Sequence, residues 1–225
     1  MKYNNYIQKV ITDNKYLEEL AEDFSVDFPE LFYAENPSEE VCLEAVNEEE
    51  SLLRFIENPS EELCLAIVKE NGKALFYIKN QTDKICLAAV KQDWHALRDV
   101  KNQTLEICIE AVKQSRQALL LVANQPEDVC IAAVQFDSSA LDYVKNQTDK
   151  ICLAAVNKNG LALRFVKNQT NAICVAAVKS EPAALQYVKQ QTLEICIAAV
   201  RNDPDVIVFA NPEFKEACKK EIEKA

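Results

Sequence analysis

The sequence predicts an all-α fold, an α-solenoid of about nine stacked 22-residue helix-turn-helix repeats with a capping helix at each end. Three observations predict it. Nine cysteines, Cys42, Cys64, Cys86, Cys108, Cys130, Cys152, Cys174, Cys196 and Cys218, recur at intervals of 22 residues. The residues around them recur with the same period, as in Asn80-Gln-Thr-Asp-Lys-Ile-Cys-Leu-Ala-Ala-Val90. Each period has room for two short capped helices and none for strands that alternate with period two. Helices of about eight or nine residues do not persist alone in water and must stack on their neighbours. At roughly 8–10 Å per unit, such a stack would make a rod or arc on the order of 80–90 Å long.

The elements follow in order along one domain spanning 1–225. Residues 1–35 read as a degenerate N-terminal cap, with Leu20 in the cysteine position. Eight regular repeats occupy 36–210, and 211–225 read as a C-terminal capping helix. Within a repeat the first helix starts at a Ser/Thr column: Ser38, Ser60, Thr82, Thr104, Thr148, Thr170 and Thr192. Such hydroxyls accept a free N–H of the first turn. Acidic residues such as Glu61, Asp83 and Glu106 follow and suit the positive end of the helix dipole. Ile85, Cys86, Leu87, Ala89 and Val90 and their copies are apolar, which leaves a narrow polar stripe through Lys84, Ala88 and Lys91. A second column, Asn71, Asp93, Ser115, Asp137, Asn159, Glu181 and Asp203, caps the second helix, and all but Glu181 are good N-cap residues. Pro182 and Pro204 come next, where a missing N–H costs little. Ala74, Leu75, Tyr77 and Ile78 mark the buried face of that helix. Lysines such as Lys79, Lys101, Lys145, Lys167 and Lys189 close it. The asparagines that follow, Asn80, Asn102, Asn146 and Asn168, are expected in the left-handed conformation common after helices. The Asn-Gln column reads as a side-chain ladder between adjacent loops.

Composition narrows the function classes. Gly72 and Gly160 are the only glycines, which excludes phosphate loops and dinucleotide fingerprints. One histidine, His95, removes most zinc sites and most acid–base sites. The cysteines sit in apolar runs and read as small buried hydrophobes, one interaxial distance apart and so beyond disulfide reach. No catalytic residue, cofactor site or metal site is therefore assigned. Nine free thiols point to a reducing, cytoplasmic setting. The first ten residues lack the apolar stretch of a secretory signal, and no run is long enough to span a membrane.

The net charge of −11 is uneven. Residues 1–70 hold 5 Lys/Arg against 18 Asp/Glu, net −13, whereas 71–225 hold 20 against 18, net +2. The overall sign argues against a nucleic-acid binder and favours a protein partner. The acidic stretch 39–62, with Glu48, Glu49 and Glu50 in a loop, would suit a partner with a basic surface.

The second helix also carries an outward stripe that varies from repeat to repeat while the frame stays fixed. It runs through Ser51 and Arg54, Lys73 and Phe76, His95 and Arg98, Gln117 and Leu120, Ser139 and Asp142, Leu161 and Arg164, then Ala183 and Gln186. Trp94 and Arg116 lie beside it. Aromatic and Arg residues dominate interface energetics. Arg54, Phe76, Trp94, His95, Arg98, Arg116, Leu120 and Arg164 are therefore the candidate anchors.

The unit Asn-Gln-Thr-x-x-Ile-Cys-x-x-Ala-Val, followed by Ala-Leu-x-x-Val-Lys, resembles the short repeats of domain-of-unknown-function family 4116, over about residues 36–200. Residues 1–35 and 203–225 depart from that pattern and look like caps. The resemblance implies a helical-repeat fold. That family has no agreed activity, so the resemblance brings no catalytic residues. Two further readings stand beside the interaction protein: an acidic nucleic-acid mimic that fills the basic cleft of a nuclease, and a single-strand RNA binder with one base per repeat. Charge and the lack of a regular stacking aromatic disfavour the last.

Overall fold

The computed structural model describes residues 58–224 continuously, together with Cys42, Leu43, Val46, Leu53, Arg54 and Ile56. Among the described residues every regular element is helical. Each repeat holds one ten-residue α-helix and one short 3₁₀ helix. The α-helices are α1 (Glu61–Glu70), α2 (Asp83–Gln92), α3 (Leu105–Gln114), α4 (Glu127–Phe136), α5 (Asp149–Lys158), α6 (Asn171–Ser180) and α7 (Leu193–Asn202), and the terminal α8 is Pro212–Ile222. Between them lie η1 (Gly72–Tyr77), η2 (Trp94–Asp99), η3 (Arg116–Leu120), η4 (Ser138–Tyr143), η5 (Gly160–Phe165), η6 (Pro182–Tyr187) and η7 (Pro204–Phe209). The chain divides into two compact units between Asn102 and Gln103. In each, α-helices pack on α-helices and short helices on short helices, so each is a stretch of two-layered solenoid.

The caps explain the boundaries. The Ser60 hydroxyl accepts the N–H of Leu63 at 3.0 Å, and Thr82, Thr104, Thr148, Thr170 and Thr192 accept the corresponding N–H groups. Pro126 stands in this column before α4 and gives no side-chain cap. Asn71, Asp93, Ser115, Asp137, Asn159 and Asp203 cap the short helices through their side chains, and Glu181 does not. Ser38 lies outside the described residues.

Two expectations change. The second helix is not an eight- or nine-residue α-helix but a 3₁₀ helix of five or six residues, joined to the first by one shared residue. Asn71, for example, is both C-cap of α1 and N-cap of η1. The backbone bonds define it: the N–H of Ala74 donates to the Asn71 carbonyl and that of Ile78 to the Leu75 carbonyl, each three residues back, and in this repeat Gly72, Leu75 and Ile78 turn inward together. Nor do the asparagines adopt the left-handed conformation: every short helix but η3 ends in extended backbone, as at Ile78 with φ −82° and ψ 115°, and η3 ends at Leu121 in the right-handed region. Among the described non-glycine residues, only Gln125 has positive φ, at 42°.

The core repeats as strictly as the sequence. Ile85, Cys86, Ala89 and Val90 on α2, and Ala96, Leu97 and Val100 around η2, are all buried, and so are their copies along 103–200. No polar or charged residue among those described is buried. Burying a Leu or Ile side chain is worth about 1.5–3 kcal/mol, so each repeat contributes through its neighbours rather than alone. Gly160 marks the tightest approach. A Cβ there would collide with the Ala177 carbonyl oxygen and sit 2.7 Å from Glu181 Cβ.

Hydrogen bonds at recurring sequence offsets tie the repeats together. Gln81 Nε2 donates to the carbonyls of Leu75 and Asp99, and its Oε1 accepts the N–H of Lys101. Gln125, Gln147, Gln169 and Gln191 each make the same three bonds. The ladder therefore belongs to glutamine, while Asn80, Asn102, Asn146 and Asn168 stay exposed. Lysines add a second tie. Lys101 Nζ donates to the carbonyl of Lys79, Lys167 to those of Val144 and Lys145, and Lys189 to those of Val166 and Lys167.

Candidate interaction surface

A 3₁₀ helix eclipses residues three apart. With Gly72, Leu75 and Ile78 turned inward, Lys73 and Phe76 line up on the outside. The same geometry pairs His95 with Arg98, Gln117 with Leu120, Leu161 with Arg164 and Asp205 with Val208. In each pair the second residue is exposed: Phe76 to 67%, Leu120 to 59% and Val208 to 65%, alongside Arg98, Asp142, Arg164 and Gln186. Large exposed apolar side chains on a well-packed frame are the informative kind of surface residue.

The anchors differ in how they are held. Arg54 is half-buried. Phe76 stands edge-on to Tyr77, with ring centroids 5.0 Å apart and planes at 86°. The Trp94 and His95 rings stack at 3.8 Å. His95 Nδ1 lies 2.7 Å from Asp93 Oδ1, and the His95 backbone N–H donates to the same oxygen at 2.9 Å. Burial works to raise the Asp93 carboxyl. The hydrogen bonds from His95 outweigh it and hold the group below its usual value. Arg116 Nη1 donates to Asp137 Oδ2 at 2.9 Å and to Ser139 Oγ at 3.0 Å, a bond between successive repeats. The Arg164 guanidinium lies 4.5 Å above the Phe165 ring. Glu48, Glu49 and Glu50 lie outside the described residues.

The structure brings Phe76, Trp94, His95 and Arg98 onto the adjoining helices η1 and η2 of one unit. It sets Arg116, Leu120 and Arg164 on η3 and η5 of the other.

The narrow stripe through Lys84, Ala88 and Lys91 continues on the outer face of α6 as Ala172, Ala176 and Lys179. An open groove of about 860 Å³ there is lined by Asn157, Ala172, Val175, Ala176, Lys179 and Glu194. Sequence reasoning missed the apolar edge of this stripe: Val175 and its copies from Leu87 onward sit beside the small column of Ala176 and are half-exposed, whereas Leu65 is buried.

The thiols are placed for packing. All nine are free and buried. Burial, with Glu61 nearby, pushes Cys64 up to about 11, and burial with Cys218 nearby does the same to Cys196. Thiolates are the reactive form, so this column is chemically quiet. The thiols are not merely hydrophobes. Cys86 Sγ donates to Gln81 Oε1 at 3.6 Å, and Cys152, Cys174 and Cys196 donate to Gln147, Gln169 and Gln191.

Among the described residues, no three His, Cys, Asp or Glu side chains gather as a metal site, and no helix is long and apolar enough to cross a membrane. Comparison with family models, curated proteins and solved structures finds no match to this chain.

Proposed function

We propose that this chain is a non-enzymatic helical-repeat protein that binds another macromolecule, most simply a protein, through the outward column of its short helices. One observation carries the reading. The frame repeats almost residue for residue, yet the exposed column changes identity at each step: Phe76, Arg98, Leu120, Asp142, Arg164, Gln186. Packing dictates the frame and leaves that column unspecified, so a partner is free to specify it. The chemistry nearby supports a binding role over catalysis, since the thiols are buried and raised and the one imidazole is engaged by Asp93.

The charge division supports a second reading, in which the acidic stretch around Glu48, Glu49 and Glu50 occupies the basic cleft of a nucleic-acid-binding protein or nuclease. Affinity capture from the native cell, followed by mass spectrometry, identifies the partner. Its affinity for a variant with Arg98, Leu120 and Arg164 replaced by Ala then tests the column. A drop supports the first reading, and an unchanged affinity refutes it.

A further inference from the structure

We propose that Lys73, Phe76, Trp94, His95 and Arg98 form a docking patch for an acidic peptide segment that carries an apolar anchor residue. The inference rests on the short-helix column being the partner surface and names the chemistry of the partner at one place on it.

Residues 22 apart are lateral neighbours in this frame, as the Lys101 Nζ bond to the Lys79 carbonyl and the Gln92 Nε2 bond to the Glu70 carbonyl demonstrate. Phe76 and Arg98 are 22 apart, on helices η1 and η2 that pack together. Lys73 and His95 are likewise 22 apart, one 3₁₀ turn away from them. The patch thus sets an aromatic ring that is 67% exposed among two cationic side chains and the stacked Trp94–His95 pair. It holds the only tryptophan and the only histidine of the chain.

Several other cations are engaged within the fold. Arg116 is spent on Asp137 and Ser139, Arg164 lies over Phe165, Arg201 is bound by Glu221, and Lys101, Lys167 and Lys189 are spent on carbonyls. The Lys73 ammonium and the Arg98 guanidinium make no direct hydrogen bond or ion pair with any described residue, and act only through space, Lys73 on the Asp93 carboxyl and Arg98 on that of Asp99. Asp93, the nearest carboxylate to His95, is already engaged by it, and Asp99 is half-buried. Two presented cations around an exposed aromatic ring are complementary to carboxylates that flank an apolar side chain.

A nucleic-acid strand fits less well. It needs a cationic track that follows its backbone, and the same column in the other unit reads Leu120, Asp142, Arg164, Gln186.

The test selects binders to the full-length protein from a random short-peptide display library. The expected sequences carry Asp or Glu around a Leu, Ile or Phe. A synthetic, Trp-free peptide from the selection should change the emission of Trp94, the sole tryptophan. Lys73→Ala with Arg98→Ala, and separately Phe76→Ala, should each weaken it at least about tenfold, with unchanged helical circular dichroism. The proposal is overturned if no peptide enriches, if the enriched peptides lack acids, if binding survives both variants, or if poly(U) displaces the peptide. The wider reading fails separately, when affinity for the native partner is insensitive to every column variant, Leu120→Ala with Arg164→Ala included.

Discussion

The side-chain oxygen of Gln147 accepts the backbone N–H of Lys167 at 2.9 Å, across twenty residues of sequence. Gln147 Nε2 donates at 3.0 Å to the carbonyls of both Leu141 and Phe165. One amide thus closes the end of its own short helix and ties it to the next. The thiol of Cys152 donates to the same oxygen. Gln147→Ala should leave the Lys167 N–H and the Phe165 carbonyl unmet and take from the Leu141 carbonyl one of its two donors, the other being the Val144 N–H. A part-buried donor or acceptor left without a partner costs about 1–3 kcal/mol. Denaturant unfolding should show a loss in that range, against less than about 0.5 kcal/mol for the exposed neighbour Asn146→Ala. Equal losses would mean that solvent satisfies the joint without Gln147.

This ladder also shows how far the sequence could be read. The six good capping residues of the second column all cap, and the poor one, Glu181, does not, because a cap is a local property of one side chain and the first turn. The 3₁₀ character of the second helix was not legible. Ala74, Leu75 and Ile78 suit the spacing of either helix type, and the residue that would decide between them is Gly, Trp, Arg, Ser or Pro in successive repeats. The thiol-to-glutamine bond was hidden because a cysteine inside an apolar run carries the pattern of a hydrophobe. Of the candidate surface, exposure of the variable column followed from the period. Which cations are tied down depends on partners about 20 residues away, and Arg116 and Arg98 look alike until Asp137 and Ser139 are placed.

The thiols should be inert and should leave a mark on the pH dependence. A native sample should react slowly with a thiol reagent at all nine positions and quickly only in denaturant. Several rapid equivalents without denaturant, or a bridge found by non-reducing peptide mapping, would overturn the buried column. Cys64 and Cys196 have folded values raised from 9.0 to about 11, so the native state holds protons that the unfolded chain releases. Their contribution to stability is complete below pH 9.0 and falls as pH rises toward about 11. Unfolding midpoints measured across that window should fall more steeply for the native chain than for Cys64→Ala with Cys196→Ala.

Close packing between repeats makes a sharper demand. Gly160→Ala places a methyl group against the Ala177 carbonyl and Glu181, both on or beside the next α-helix. Ala111, fully buried on α3, has no room for Leu. Each substitution should cost roughly 1–3 kcal/mol by overpacking. Gln117→Ala, on the exposed edge of η3, should change stability by less than about 0.5 kcal/mol. A similar effect from all three would mean that the buried and exposed faces are misassigned.

The binding surface itself is decided by salt and by which rate constant moves. If the acidic stretch docks on a basic partner, reversing Glu48, Glu49 and Glu50 to Lys should weaken binding mainly through a slower on-rate. Added salt should mimic that variant, because exposed charges are screened over about 8–10 Å at physiological ionic strength. If the short-helix column carries the interface, Arg98→Ala, Leu120→Ala and Arg164→Ala together should do more harm. They should act mainly on dissociation, since packed aromatic, apolar and Arg anchors set residence time more than encounter. Association and dissociation rates measured at two salt concentrations, with both triple variants and the native partner, separate the surfaces. The helical circular dichroism should be unchanged in the column variant, whose three side chains are all exposed. A partner whose rates respond to neither variant would exclude both surfaces and direct the search to the outer face of the α-helices, through Lys84, Glu110 and Lys150 and the groove beside Val175 and Ala176.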